Sequence, residues 1–174
     1  MDGISLLRQQ LQEAHWLLEE TMKDVTVEQA HWAPPGIANP LGASYAHVVL
    51  GEDFIINGML KGSAPLAATA WAGKLGLSEP SPPPPEPWDK WGRQVRVDLR
   101  ALREYAQAVY KASDEYLASL NGDALSRPLD LSAFGVGEQT LSWLLTNAVL
   151  GHVAGHCGEV SCLKGLQGAK GYPF

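Results

Sequence analysis

The sequence predicts an all-α domain, a four-helix bundle with long crossover connections. Three observations carry this reading. Four separate segments repeat apolar residues every three or four positions, which places them on one face of a helix. No stretch alternates apolar and polar residues as a half-buried strand would. One or two of the connections are long enough to cross over a bundle. At 174 residues the chain reads as a single domain, residues 1–174, of a size that buries a core without a disulfide staple.

The first helix is expected from about Ile4 to Met22, with Ile4, Leu7, Leu11, His15, Leu18 and Met22 on one stripe and Asp2 as N-cap. Thr26 to Gln29 has the form of a capping box and starts a short helix. Pro34-Pro35-Gly36 then breaks the chain. The second long helix runs from about Pro40 to Leu60, with Asn39 as N-cap and Pro40 in the first turn, where its missing N–H costs nothing. Its stripe holds Ala43, His47, Leu50 and Phe54.

A connection of about 25 residues follows, longer than most loops inside a domain. Six of the chain's twelve prolines lie between Pro80 and Pro87, so this tract is expected to be an extended, polyproline-like spanner. Its length also suits a lid, a dimer contact or a ligand for a proline-binding module. The third helix is expected from about Pro87 to Leu120, ended by Asn121-Gly122. The fourth runs from about Gln139 to Leu166, with Leu141, Leu145, Ala148, His152, His156, Glu159 and Leu163 on one face.

Composition narrows the function. The chain is 45% apolar and 18% charged, with a net charge of −6. No cluster of lysine and arginine could neutralise a row of phosphates, which disfavours nucleic acid. No stretch reaches the roughly 18 apolar residues of a membrane span, and the N-terminus lacks the apolar core of a signal peptide. Cys157 and Cys162 are five apart on one helix, on different faces, and are expected to be free thiols. These features together point to a cytoplasmic protein.

The histidines carry the chemistry. His152 and His156 are four apart, one helical turn, so both imidazoles can reach one ion. Both continue the apolar stripe of Leu141, Leu145 and Ala148, and His47 does the same on its own helix. A bundle interior disfavours imidazoles unless something satisfies them. Three neutral nitrogen ligands with an open fourth position are the arrangement of catalytic metal sites. The plain alternative for each is a core histidine bonded to a carbonyl or a water. His15 reads as a core or rim residue, with a fourth ligand or a ligand's partner as alternatives, and His31 is given no role. Glu159 shares the face of His156 and could orient a ligand, bind a metal's water or act as general base. Glu52 and Asp53 fall off the His47 face and read as solvated.

The combination of SYAHVVLGEDF on helix two with HVAGHCGEV on the last helix resembles the DinB-like superfamily, which includes YfiT-type metal-dependent hydrolases. Members show a helix-two histidine and a last-helix motif H-x-x-x-H-R-G-Q. Here the motif reads His152-Val153-Ala154-Gly155-His156-Cys157-Gly158-Glu159, with Cys157 in place of the arginine and Glu159 in place of the glutamine. The resemblance spans the first helix, the Trp32–Pro35 connector, the Asn39-Pro40 start and the four-helix order. It implies an up-up-down-down-like bundle, often a homodimer. It also implies a divalent metal such as zinc or nickel, held by His47, His152 and His156. Relatives include thiol transferases and isomerases that use low-molecular-weight thiols. The reading of function is therefore a metal-dependent enzyme, a thiol-dependent S-transferase or a hydrolase, acting on a small molecule. The alternatives are a non-catalytic metal-binding or stress-response bundle acting as a dimer, and a plain helical interaction module.

Overall fold

The structure, a computed structural model, describes residues 2–81 and 88–174. Most of the proline tract, including Pro87, lies outside the described residues. Four long helical elements make the bundle. Helix α1 spans Gly3–Met22. After the short α2, Val27–His31, α3 spans Leu41–Asp53 and runs on as a π-helical stretch, Phe54–Leu60. Then come α4, Trp88–Gln94, and α5, Leu99–Ala118. A two-stranded antiparallel hairpin, β1 Pro128–Asp130 and β2 Glu138–Thr140, leads into α6, Leu141–Trp143. A second π-helical stretch, Leu144–Leu150, joins α6 to α7, Gly151–Leu166. No helix among the described residues is long and apolar enough to cross a membrane.

The predicted ends hold where capping chemistry sets them. Asp2 accepts the Ser5 N–H at 2.8 Å and starts α1. Thr26 and Gln29 make the reciprocal capping box of α2. Thr140 accepts from the Trp143 N–H and starts the last helical run. At α3 the expectation shifts by one residue. Pro40 occupies the cap position and its carbonyl accepts from Ala43 and Ser44, while the Asn39 side chain lies against Gly92, where any Cβ would clash with it.

The third predicted helix is two helices. The apolar period runs across Trp91, Val95, Leu99 and Leu102, but the backbone leaves the helix after Gln94. Val97 pairs with Leu77 as an isolated bridge, and its N–H donates to His31 Nε2 at 2.8 Å. Asp98 then caps α5, accepting from Arg100 and Ala101. His31, which the sequence left without a role, thus holds this corner. Its Nδ1 lies 2.8 Å from the Val27 carbonyl, so Nδ1 donates there and Nε2 accepts from Val97. The hairpin is a second difference. Its strands are three residues each, too short to show alternation.

The core joins α1, α3, α5 and α7 around Leu18, Met22, Val48, Leu102, Leu145 and Val153. It also contains charge. Glu52 and Asp53, expected in solvent, are 1% and 0% exposed. Glu52 pairs with His15 Nε2 at 2.8 Å and accepts from the Ser113 hydroxyl. His15 is stacked on Tyr110, so its place is in the core and away from the other histidines. Asp53 accepts from Tyr105 Oη at 2.6 Å, Asn57 Nδ2 at 2.7 Å, and the Leu66 and Ala67 N–H groups at 2.9 Å each. Burial and the neighbouring Asp53 carboxylate push the Tyr105 hydroxyl upward, keeping it a donor. These carboxylates tie α3 to α1, α5 and the turn at Leu66–Ala68.

Removing the Asp53 carboxylate leaves a buried hydroxyl and two backbone N–H groups unpaired, each with a real desolvation cost. Asp53→Ala is expected to lower unfolding free energy by about 3–5 kcal/mol, read by urea denaturation. Asp53→Asn, which keeps one acceptor oxygen, is expected to cost less.

Candidate metal centre

His47 sits in the middle of α3 and is the one position between Leu41 and Leu50 that is not fully buried. His152 and His156 lie one turn apart on α7, also half-buried. They flank the core stripe of Val149, Val153, Cys157 and Val160 rather than continuing it. The π-helical stretch before Gly151 accounts for the difference, because its wider turn resets the face that follows.

The three imidazoles converge. One ligand atom from each lies within 4.8 Å of the others. His47 Nε2 and His152 Nε2 are 3.0 Å apart. Two nitrogens on one tetrahedral ion, at about 2.1 Å each, stand about 3.4 Å apart, so this pair needs little adjustment. The ring centroids are 4.5 to 5.0 Å apart and the rings nearly perpendicular, a cluster of edges and not a stack.

Electrostatics keep two of the imidazoles, His47 and His152, neutral. Burial, with His156 adding to it, pushes His47 down to about 4. Burial also pushes His152 down to about 4, helped by His156 and His47 and opposed by Glu52 and Glu159. Both rings therefore carry free lone pairs at neutral pH, the form a metal requires. His47 Nδ1, across the ring from the Nε2 that faces His152, is buried with no hydrogen-bond partner. His156 Nδ1 lies 2.6 Å from Glu159 Oε2. That bond fixes the proton on Nδ1 and leaves Nε2 as the donor atom, the usual partnership of a carboxylate behind a metal-ligating histidine. The three residues fit a single divalent ion.

Two further residues shape the site and carry weak sequence signals. Gly51 is one turn after His47, and a Cβ there would stand 3.3 Å from His152 Cε1. A glycine inside a helix costs about 1 kcal/mol relative to alanine, and that cost flags a close approach. Trp88, next to the proline tract, packs edge-on against His47 with centroids 4.1 Å apart. Arg93 holds α4 down by donating to the Gly36 and Ala38 carbonyls.

Two clefts reach the cluster. A cleft of about 580 Å³ reaches His47 and His156 past Trp88, Asn39, Ser44, Glu159 and Cys162. A second, of about 430 Å³, reaches His47 and His152 past Phe54, Leu144 and Gly151. Cys157 faces the core, where burial pushes its thiol upward, so it is no nucleophile here. Cys162 is exposed, and both thiols are free.

The family model of the DinB superfamily matches residues 10–160. The chain belongs to the DinB superfamily. A crystal structure of a conserved protein from Enterococcus faecalis shares the fold, with a TM-score of 0.79 and 24% identity over 95% of this chain and 97% of that one. No curated protein matches the sequence. In this DinB chain the family match covers His47, His152 and His156, and the structure brings those three together.

Two substitutions separate the site from the fold. Glu159 is more than half exposed, so Glu159→Gln is expected to leave thermal stability nearly unchanged while lowering zinc affinity about tenfold or more. Gly51→Ala improves helix propensity yet crowds the His152 ring. Titration against a competing chelator is expected to show weaker zinc binding with no loss in melting temperature.

Proposed function

We propose that His47, His152 and His156 hold one divalent ion, zinc, nickel or similar, and that the protein is a metal-dependent enzyme acting on a small molecule. The observation that carries this is the convergence of three imidazoles at a point reached by two clefts. A structural metal site is closed by four protein ligands, whereas three ligands and an open approach suit chemistry. When bound, the ion supplies a positive centre that lowers the pKa of a water or thiol to near neutrality.

The protein's own groups set the rest. Glu159 keeps the His156 proton on Nδ1 and orients the ring. The same carboxylate lines the larger cleft, within reach of a proton released there, and we assign it the role of general base. Trp88 and Asn39 narrow that cleft and limit water around the imidazoles. The polar rim of Asn39, Ser44 and Glu159 suits a hydrophilic co-substrate, and we propose a low-molecular-weight thiol. Attack of that thiol's sulfur on an electrophilic carbon, with the thiol proton taken by Glu159 and the displaced group leaving, is favoured over hydrolysis, because two clefts meeting at one centre provide for two reactants.

Elemental analysis of untagged protein is expected to show close to one divalent ion per chain, and His47→Ala is expected to lose it. Unchanged metal in the variant would remove His47 from the site. Cobalt-loaded protein with Cys162→Ser, which removes the one cysteine in the cleft, is expected to gain a thiolate-to-cobalt charge-transfer band when a small thiol is added. A spectrum unchanged by thiol would count against the transferase and leave hydrolysis.

A further inference from the structure

The two clefts differ in chemistry. Among the described residues, no aspartate, glutamate, lysine or arginine lines the cleft beside His152. Its walls come from both π-helical stretches, through Phe54 and Met59 on one side and Leu144 and Ala148 on the other, with Trp143 beside them. The hairpin loop closes it with Phe134 and Val136, and Phe134 meets Phe54 edge-on at 6.3 Å. Apart from the imidazoles, the polar side-chain groups there are the Trp143 indole N–H and the Asn147 amide, whose Nδ2 already donates to the Trp143 carbonyl at 2.9 Å and to Thr146 Oγ1 at 3.2 Å. A charged group placed in this space finds no oppositely charged side chain among the described residues, a costly arrangement. Its volume of about 430 Å³ falls within the range of small-molecule sites. Paired π-helical stretches around one cavity are a further sign of a binding site, since such turns are rare and concentrate at functional positions.

We infer that this cleft is the acceptor subsite, and that it takes the uncharged apolar arm of the substrate, an aromatic or unbranched aliphatic group. Resting on the two-reactant reading above, the inference gives its second reactant a chemical class. The polar co-substrate approaches past Glu159, and the apolar arm lies between the π-helical stretches. Its reactive end points at His47 and His152, the two imidazoles of the metal site that line this cleft.

The test separates this cleft from the metal. N-phenyl-1-naphthylamine, an uncharged apolar fluorophore, is titrated into metal-free and zinc-loaded protein. One saturable site per chain is expected in both forms. Competition by 1-butanol through 1-octanol should strengthen about fourfold per methylene, the factor that corresponds to about 0.8 kcal/mol per buried CH2. Ala148→Phe, which fills the cleft, is expected to weaken the probe at least tenfold. Phe134→Asp, at a residue already 49% exposed, puts a charge in the wall without disturbing the core and is expected to do the same. In zinc-loaded protein, octanohydroxamate should outcompete acetohydroxamate by the accumulated methylene factor. Three outcomes would overturn the inference: no saturable probe binding, probe binding indifferent to both variants, or a dimer that Phe134→Asp dissociates, which would mean that a second copy covers this face. Loss of zinc binding with probe binding intact would instead strike the metal reading and leave the apolar cleft standing.

Discussion

The site depends on how closely α3 and α7 approach one another. Three imidazoles from two helices meet only if the backbones come near enough for short side chains to span the gap, and Gly51 provides that clearance against His152. The helix accepts a residue about 1 kcal/mol worse than alanine at this point, and core packing must supply the difference. Val48, Val49 and Leu50 on one side and Val149, Val153 and Cys157 on the other are almost wholly buried and hold the contact. His47 is spared full burial because it points along the seam between the helices, where the two clefts begin.

A rigid α3 is the second condition. Glu52 and Asp53 follow His47 by five and six residues and reach in different directions to α1, α5 and the Leu66 turn. Each buried carboxylate is expensive unless its oxygens are satisfied. The two oxygens of Asp53 receive four donors, and those of Glu52 receive Ser113 and face His15. Such bonds fix the rotation of α3 about its axis as well as its position, because the carboxylates meet their partners at one rotation. The His47 ring inherits that setting. The cost of interior charge is thus tied to orientation, which apolar packing alone specifies less sharply.

Apolar periodicity sufficed for α1, α3 and the α6–α7 run, and local cap chemistry for the starts of α1 at Asp2 and of α2 at Thr26. The histidine set was legible for the same reason, since i, i+4 spacing maps directly onto a helix face. What periodicity could not show is a break that keeps the period. Trp91, Val95, Leu99 and Leu102 look like one helix, while a bridge to Leu77 and a bond to His31 turn the chain between them. Asp98 carried a local cap signal that the apolar pattern masked. Glu52 and Asp53 were read as solvated because they lie off the His47 face; their partners, His15, Tyr105 and Ser113, lie far away in sequence. The π-helical stretches were invisible for a different reason, since a turn with one extra residue differs from an α turn by register and not by composition.

Those stretches connect the fold to the chemistry. One begins at Phe54, seven residues after His47, and the other ends at Leu150, two before His152. Each widens its helix next to the imidazoles, and the space between them is the apolar cleft. A regular α-helix through Leu144–Leu150 would present a different face to that space and turn His152 relative to the core stripe. The register shift that lines the cleft with Leu144 and Ala148 is therefore the same one that brings His152 and His156 beside the buried stripe, where they reach His47. The donors and the cavity beside them are set by one local change in helix geometry, so a substitution restoring regular α-helix there should disturb both together.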